Sequence, residues 1–310
     1  MAFLKYLESI RTPAGDAFFS TVTQLGEELL FIIVGLLIFW CLDKRSGFYL
    51  LLVSFSGAIV NQFLKLFVRM PRPWILDPTL TIVESARAQA LGFSFPSGHT
   101  QNAVSVFGSI AVCFKHRTLR IVCAVLAVLV AFSRLYLGVH TPLDVLTAVG
   151  IALPLLCLCY RPAGAAMQSV RVMAGLLFGM IALGAAFTLY AECCPLPTDA
   201  EAEFVRDGVK NAWSLFGASL GFALGMFLDR RYLHFEVKAV WWAQLLKLTL
   251  GLAILLALRT GLKTLLLPIG HPSVHALRYF VILVFATAVW PSTFSFFSRL
   301  GTAKRKMGKG

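Results

Sequence analysis

Residues 119–160 read LRIVCAVLAVLVAFSRLYLGVHTPLDVLTAVGIALPLLCLCY. Two apolar runs, 119–138 and 143–160, meet at a polar knot that holds Ser133, Arg134, His140, Thr141, Pro142 and Asp144. About 20 apolar residues, rising 1.5 Å each, cross a hydrocarbon core of roughly 30 Å. Two such runs in tandem predict a membrane hairpin with its polar residues gathered at one end. Thr141-Pro142 supplies an N-cap and a first helical residue, so the second run begins its helix there.

The pattern repeats outward in both directions. Further runs at 25–42, 47–68, 98–114, 170–190, 209–228, 239–259 and 274–291 bring the expected total to nine spans, with eight as the alternative. The third begins in polar residues and the eighth contains Lys247. Composition agrees, since 58% of the 310 residues are hydrophobic and 14% charged. Soluble domains run nearer 45–50% and about 25%. The figures exclude an ordinary soluble enzyme, and they exclude disorder. The expected class is all-α, a polytopic membrane helical bundle.

The net charge of +13 is distributed in short clusters between apolar runs, which argues for membrane orientation and against a nucleic-acid partner. Lys44/Arg45, Lys115/Arg117/Arg120, Arg161, Arg230/Arg231/Lys238 and the tail residues Arg299, Lys304, Arg305, Lys306 and Lys309 share one side of a nine-span chain. Glu192, Asp199, Glu201, Glu203 and Asp207 fall on the other. The positive-inside rule then makes the C-terminus cytoplasmic and the N-terminus external, in a cell (plasma) membrane. Met1 to Ile10 lacks the plan of a cleavable signal peptide. Its Phe3, Leu4, Leu7 and Ile10 share one face, as in an interfacial helix. The seven cysteines suggest no disulfide framework.

Three polar clusters stand at the non-cytoplasmic ends of the front spans. They are Lys65 to Arg72-Pro73, then Pro96-Ser97-Gly98-His99, then Ser133-Arg134 to His140 and Asp144. Phosphoryl transfer is mostly positioning and charge stabilisation, so a site for it needs cations and N–H donors around three oxygens. Lys65 and Arg72 are seven apart, on one helix face until Pro71 and Pro73 break it. Arg134 offers a bidentate fork. Ser97-Gly98 opens a helix, whose free N–H groups bind anions. Asp144, four residues after His140, can take one ring N–H and leave the other nitrogen as nucleophile. His99 can protonate the leaving oxygen and later activate water.

Together these clusters resemble the type 2 phosphatidic acid phosphatase (PAP2) superfamily, the membrane histidine phosphatases that include lipid phosphate phosphatases and glucose-6-phosphatase. Its pattern is Lys, six residues, Arg-Pro; Pro-Ser-Gly-His; and Ser-Arg, five residues, His, three residues, Asp. Every fixed position is met, across about residues 45–160. The resemblance implies a phosphohistidine at His140, acid/base work at His99, and no metal or other cofactor. It implies His140, His99 and Asp144 as catalytic residues and Lys65, Arg72, Ser97, Gly98 and Arg134 as phosphate-binding. Residues 1–165 would be a PAP2-like catalytic core with an N-terminal interfacial helix. Residues 166–310 would be additional transmembrane helices and a basic cytoplasmic tail, past a soft boundary near 160–164.

Each residue also has a plainer reading. Lys65 and Arg69 can snorkel to the interface, Asp144 can serve a helix dipole, Ser97 can be an N-cap alone, and lone histidines are usually structural. Joint spacing across three segments outweighs these readings. His271 and His275 have metal-ligand spacing but no carboxylate or Cys nearby. Arg259, Lys263 and Arg278 read as interface anchors, with attraction of anionic headgroups as the alternative. Asn61, Gln62, Gln101 and Asn102 read as interior polar contacts. Gly175/Gly179 and Gly217/Gly221/Gly225 read as packing stripes that also permit a homo-oligomer.

The expected partners are the bilayer and a membrane lipid substrate: phosphatidate, phosphatidylglycerophosphate, a sphingoid phosphate or a polyprenyl diphosphate. The loop from Trp74 to Phe95, with Ile75, Leu76, Leu80, Ile82 and Leu91, reads as an interfacial lid. A glucose-6-phosphatase-like sugar phosphatase is the first alternative. A non-catalytic lipid-binding or lipid-translocating protein on the same scaffold is the second.

Overall fold

The computed structural model describes residues 1–90, 92–197 and 201–300. Leu91, Asp199, Lys304, Arg305, Lys306 and Lys309, which entered the sequence reading, lie outside them. Among the described residues every regular element is helical. In chain order these are α1 Ala2–Ser9, α2 Pro13–Val22, α3 Glu28–Leu37, α4 Lys44–Val68, α5 Pro73–Leu76, α6 Gly98–Cys113 and α7 Arg117–Tyr136. They continue with α8 Pro142–Ala166, α9 Val170–Glu192, α10 Glu201–Leu228, α11 Trp241–Leu266, α12 Val274–Val284 and α13 Phe294–Arg299.

All nine predicted runs are helical, but they do not qualify equally as spans. Seven helical stretches are long and apolar enough to cross a membrane, and the pair Pro13–Gly26 and Glu28–Leu42, bent by 52°, makes an eighth if taken as one span. The ninth, α6, has 16 residues, roughly 24 Å at the helical rise. It is bounded by its Ser97 cap and by Phe114, whose backbone is extended, and its first turn is polar. The chain is a multi-pass helical membrane protein.

Local sequence sets the helix ends. Asp43 caps α4 by accepting from the Ser46 N–H at 2.8 Å. The helix stops at Arg69, whose φ of 51° is left-handed, and Pro71 and Pro73 prevent its continuation. Arg72 therefore leaves the face it would share with Lys65 on a continuous helix. The Arg161-Pro162 boundary signal does not end a helix either, since α8 runs on to Ala166. The Arg45 guanidinium lies against Gly164 there, 2.3 Å from where a Cβ would stand.

Lys247, the awkward charge of the eighth run, is buried in α11. Its Nζ donates to the Val237 carbonyl at 3.1 Å and sits 4.3 Å from the centre of the Phe294 ring. A charge inside a span needs such partners.

The bundle has two chemically distinct ends. At one, Lys44 pairs with Asp229 at 2.5 Å and Arg230 donates to the carbonyls of Ala166, Met167 and Gln168. At the other, the C-terminal ends of α4 and α7 meet the N-terminal ends of α6 and α8, and all three polar clusters collect there. The second glycine stripe explains how α10 joins α12. A Cβ on Gly217 or Gly221 would stand 2.1 Å from the Ala276 carbonyl oxygen or 2.4 Å from that of Phe280. Gly175 and Gly179 have nothing within 4 Å, so the first stripe packs against no neighbour within the described residues.

Candidate active site

His140 lies in the turn between α7 and α8. The turn is held by the Arg134 carbonyl, which accepts from the N–H groups of Val139 and His140. Helix α8 begins with Thr141 as cap, Pro142 in the first position and a capping box closed by Asp144. One oxygen, Asp144 Oδ2, receives the Thr141 N–H at 2.8 Å and the Ser94 hydroxyl at 2.6 Å, and lies 3.3 Å from His140 Nδ1. On the far side of the ring, His140 Nε2 faces Arg72 Nη1 at 3.0 Å. The carboxylate thus favours a proton on Nδ1, which leaves the Nε2 lone pair toward the guanidinium.

Lys65, Arg134 and the start of α6 join Arg72 near the ring. Lys65 reaches from the last turn of α4 to the carbonyls of Phe93 and Ser94, at 2.9 and 3.5 Å. It does not extend outward as an interface anchor. Arg72 is fixed by the carbonyls of Gly92 and Val139. Arg134 is fully buried and donates from Nη1 to Thr23 at 2.7 Å, while its Nε and Nη2 have no hydrogen-bond partner among the described residues. A buried guanidinium with two donors to spare suits a phosphate. Ser97 caps α6 through Thr100, and its backbone N–H donates to the Asp144 carbonyl at 3.1 Å, locking the starts of α6 and α8 together. Gly98 leaves the adjacent backbone open, since the nearest neighbour of an added Cβ would be Asn61 Oδ1 at 3.9 Å.

His99 enters from the first turn of α6, its Nε2 3.1 Å from Glu27 Oε1. Burial first, and then the charges of Arg72, Arg134 and Lys65, hold the His140 imidazole well below the ordinary histidine range. Both causes favour the uncharged ring. The structure therefore brings together Lys65, Arg72, Ser97, Gly98, His99, Arg134, His140 and Asp144, from four segments.

Three residues that the sequence reading missed, Glu27, Ser94 and Thr23, complete the arrangement. Glu27 holds His99, Ser94 holds Asp144, and Thr23 holds Arg134. Trp74, read as part of a lid, lies between the guanidinium groups of Arg72 and Arg87, 5.9 and 5.6 Å from its ring. Spacing to the motifs could not signal Glu27 or Thr23, which come from the bend preceding α3. The loop after α5 is also more tied down than a lid at the interface. Leu80 is buried, Lys5 pairs with Asp77 at 2.9 Å, and Thr81 bonds to Glu8. Helix α1 accordingly buries Leu4 and Leu7 and leaves Phe3 and Ile10 exposed.

The interior polar residues find separate partners. Asn61 donates to the Ser97 carbonyl at 3.4 Å, Asn102 to that of Gly26 at 3.1 Å, and Asn211 on α10 to Gln62 at 3.3 Å. Arg69 turns away from the cradle toward Cys194 and the Leu66 carbonyl. His271 is bonded to Ser273, and no group of three metal-ligating side chains occurs among the described residues.

Residues 46–167 match the family model described as the PAP2 superfamily, and residues 213–305 match that of the PAP2 superfamily phosphatase, transmembrane extension. Over 157 residues the chain is 34% identical to phosphatidylglycerophosphatase B of Bacillus subtilis (strain 168), covering 46% of this chain and 73% of that one. The chain belongs to the PAP2 superfamily. It is a PAP2-type phosphatase with the family's transmembrane extension. It is also 30% identical over 119 residues to undecaprenyl-diphosphatase BcrC of the same organism, covering 38% of this chain and 58% of that relative. A crystal structure of a PAP2 type phosphatidylglycerolphosphate phosphatase from Bacillus subtilis is similar at a TM-score of 0.41 and 29% identity, over 54% of this chain and 83% of that one.

Proposed function

We propose that this PAP2-type phosphatase hydrolyses the terminal phosphate of a membrane lipid phosphate or diphosphate through a covalent phosphohistidine on His140. The observation that carries the reading is the placement of His140, with Nδ1 on Asp144 and Nε2 against Arg72. In the first step His140 Nε2 attacks phosphorus and the bond to the lipid oxygen breaks. His99 gives its proton to that oxygen. Lys65, Arg72, Arg134 and the N–H groups at the start of α6 stabilise the charge spread over the three equatorial oxygens. In the second step His99 takes a proton from water, the hydroxide attacks phosphorus, and the P–N bond breaks to release inorganic phosphate.

The site opens at the non-cytoplasmic membrane face on this reading. Its support is the gathering of Lys44, Arg45 and Arg230 at the opposite end of the bundle, where the positive-inside rule puts the cytoplasm. The C-terminus is then cytoplasmic, and a lipid reaches the cradle from the outer leaflet of the cell membrane. Names of relatives support the lipid class, since phosphatidylglycerophosphatase B and undecaprenyl-diphosphatase BcrC are named for lipid phosphates.

The test is phosphate release by purified protein in micelles containing EDTA. The panel is phosphatidate, phosphatidylglycerophosphate, a sphingoid phosphate, a polyprenyl diphosphate and glucose 6-phosphate. Release from lipids that vanishes in His140→Ala supports the reading. Release from the sugar alone overturns the substrate class, and lipid movement without release overturns catalysis.

A further inference from the structure

The catalytic core and the extension enclose a second cleft beside the cradle. It touches the cradle at Gly98 and Asn61 and is walled by α3, α4, α10, α11 and α12. Its mouth, level with the start of α6, carries Lys210, Arg259, His275 and Arg278, with Glu28 the one carboxylate among its lining residues. Below the mouth the lining turns apolar, through Phe31, Phe55, Leu255 and Ile282 to Leu36 and Ala286. From Glu28 to Leu36 that descent is roughly 12 Å at the helical rise. A polar mouth at headgroup level over an apolar shaft is the shape of an amphiphile.

The mouth has a buried cation with donors to spare. Arg278 is 8% exposed, and its Nε has no hydrogen-bond partner among the described residues. Its other contacts are the neighbouring Tyr279, through the hydroxyl at 3.4 Å and the ring at 4.9 Å. Lys210 is occupied at 3.3 Å by Asp207, whereas no ion pair within 4.0 Å joins Glu28 to Arg259 or Arg278 among the described residues. A guanidinium buried in a span is costly until an anion meets it.

Resting on the lipid phosphatase reading above, we propose that this cleft selects a lipid with two phosphates. The terminal monoester enters the cradle, Arg278 and Arg259 take a second phosphate one spacer away, and a hydrocarbon chain descends the shaft. The extension would then be a specificity element built onto the core. Gly217, Gly221 and Gly225 keep α12, and with it Arg278, close against α10.

Phosphatidate and phosphatidylglycerophosphate of identical acyl chains form the discriminating pair, since only the second carries a diester phosphate besides its monoester. In micelles, Arg278→Gln should raise KM for phosphatidylglycerophosphate about tenfold with kcat within twofold, and leave both constants for phosphatidate within twofold. Arg278→Lys should recover part of the loss, and Arg259→Gln should act in the same direction. Ala58→Phe, which fills the shaft, should move the preference toward shorter chains, with Ala58→Leu as the milder variant if the first fails to fold.

An equal change on both substrates, or none on either, overturns the proposal. So does a loss in Arg278→Gln that appears only when phosphatidylglycerol is added to the micelles, which would mark a site for a separate anionic lipid. A wild-type protein inactive on every lipid phosphate would instead overturn the underlying activity.

Discussion

Asp144 Oδ2 lies 3.3 Å from His140 Nδ1 and 2.8 Å from the backbone N–H of Thr141, so a single carboxylate oxygen both orients the ring and closes the first turn of α8. The plain reading of Asp144 as a first-turn acid and the catalytic reading are both present in one geometry. They separate by mutation. Asp144→Asn should lower kcat by roughly ten-thousandfold, the scale seen when an orienting carboxylate is lost. Thr141→Ala removes only the cap and should cost about 1 kcal/mol of stability with kcat within a few fold. Steady-state kinetics beside a thermal melt in detergent measures both. Similar kcat losses in the two variants would reduce Asp144 to a cap.

Glu27 holds His99 at 3.1 Å from the bend before α3. A residue that positions a general acid matters most when the leaving group needs a proton. Glu27→Gln should therefore cut kcat on a lipid phosphate by about 10- to 100-fold, within the range of general acid catalysis. On p-nitrophenyl phosphate, whose leaving group departs without help, the loss should be within threefold. Equal losses on both substrates would remove Glu27 from the proton path.

The pH profile follows from the low basicity of His140. In the proposed mechanism the active form is the neutral ring, and burial with Arg72 and Arg134 nearby favours it. Protonation of the nucleophile should thus leave the acid limb of kcat/KM below the ordinary histidine value of about 6.5. Arg72→Gln removes a neighbouring positive charge and should move that limb upward in pH. A limb that stays in place would assign it to another group.

The two glycine stripes predict opposite outcomes. Gly221→Leu forces a side chain onto the Phe280 backbone, and overpacking of this kind costs about 1–3 kcal/mol or more. Gly179→Leu meets nothing within 4 Å and should leave the melting temperature unchanged. Thermal unfolding in one detergent compares them directly. Destabilisation by Gly179→Leu would reveal a neighbour for α9 outside this chain.

The parts of the site written as local motifs were readable because spacing fixes geometry within one helix start. Thr141-Pro142 with Asp144 specifies a capped α8, and Ser97-Gly98 specifies the start of α6. Apolar runs likewise marked the long helices, since crossing a hydrocarbon core needs only length and composition, whereas the short α2, α5 and α13 went unmarked. What was hidden depends on tertiary approach. Nothing near Glu27 or Thr23 in sequence points to His99 or Arg134, because the bend before α3 meets α6 and α7 only in the folded bundle. The break at Pro71 and Pro73 was legible, but not that the chain turning at the left-handed Arg69 would set Arg72 against His140 Nε2. Arg278 read as an interface anchor because helix position alone does not reveal which side of α12 faces the interior.

A phosphoenzyme on His140 can be caught directly. Purified protein is mixed with a lipid phosphate labelled on its terminal phosphorus, quenched in alkaline denaturant within milliseconds, and digested for mass spectrometry. Phosphate is expected on the peptide bearing His140, stable to base and lost in mild acid, absent from His140→Ala and accumulating when His99→Ala blocks the water step. Label on another residue, or rapid turnover with no covalent label in either protein, would contradict it.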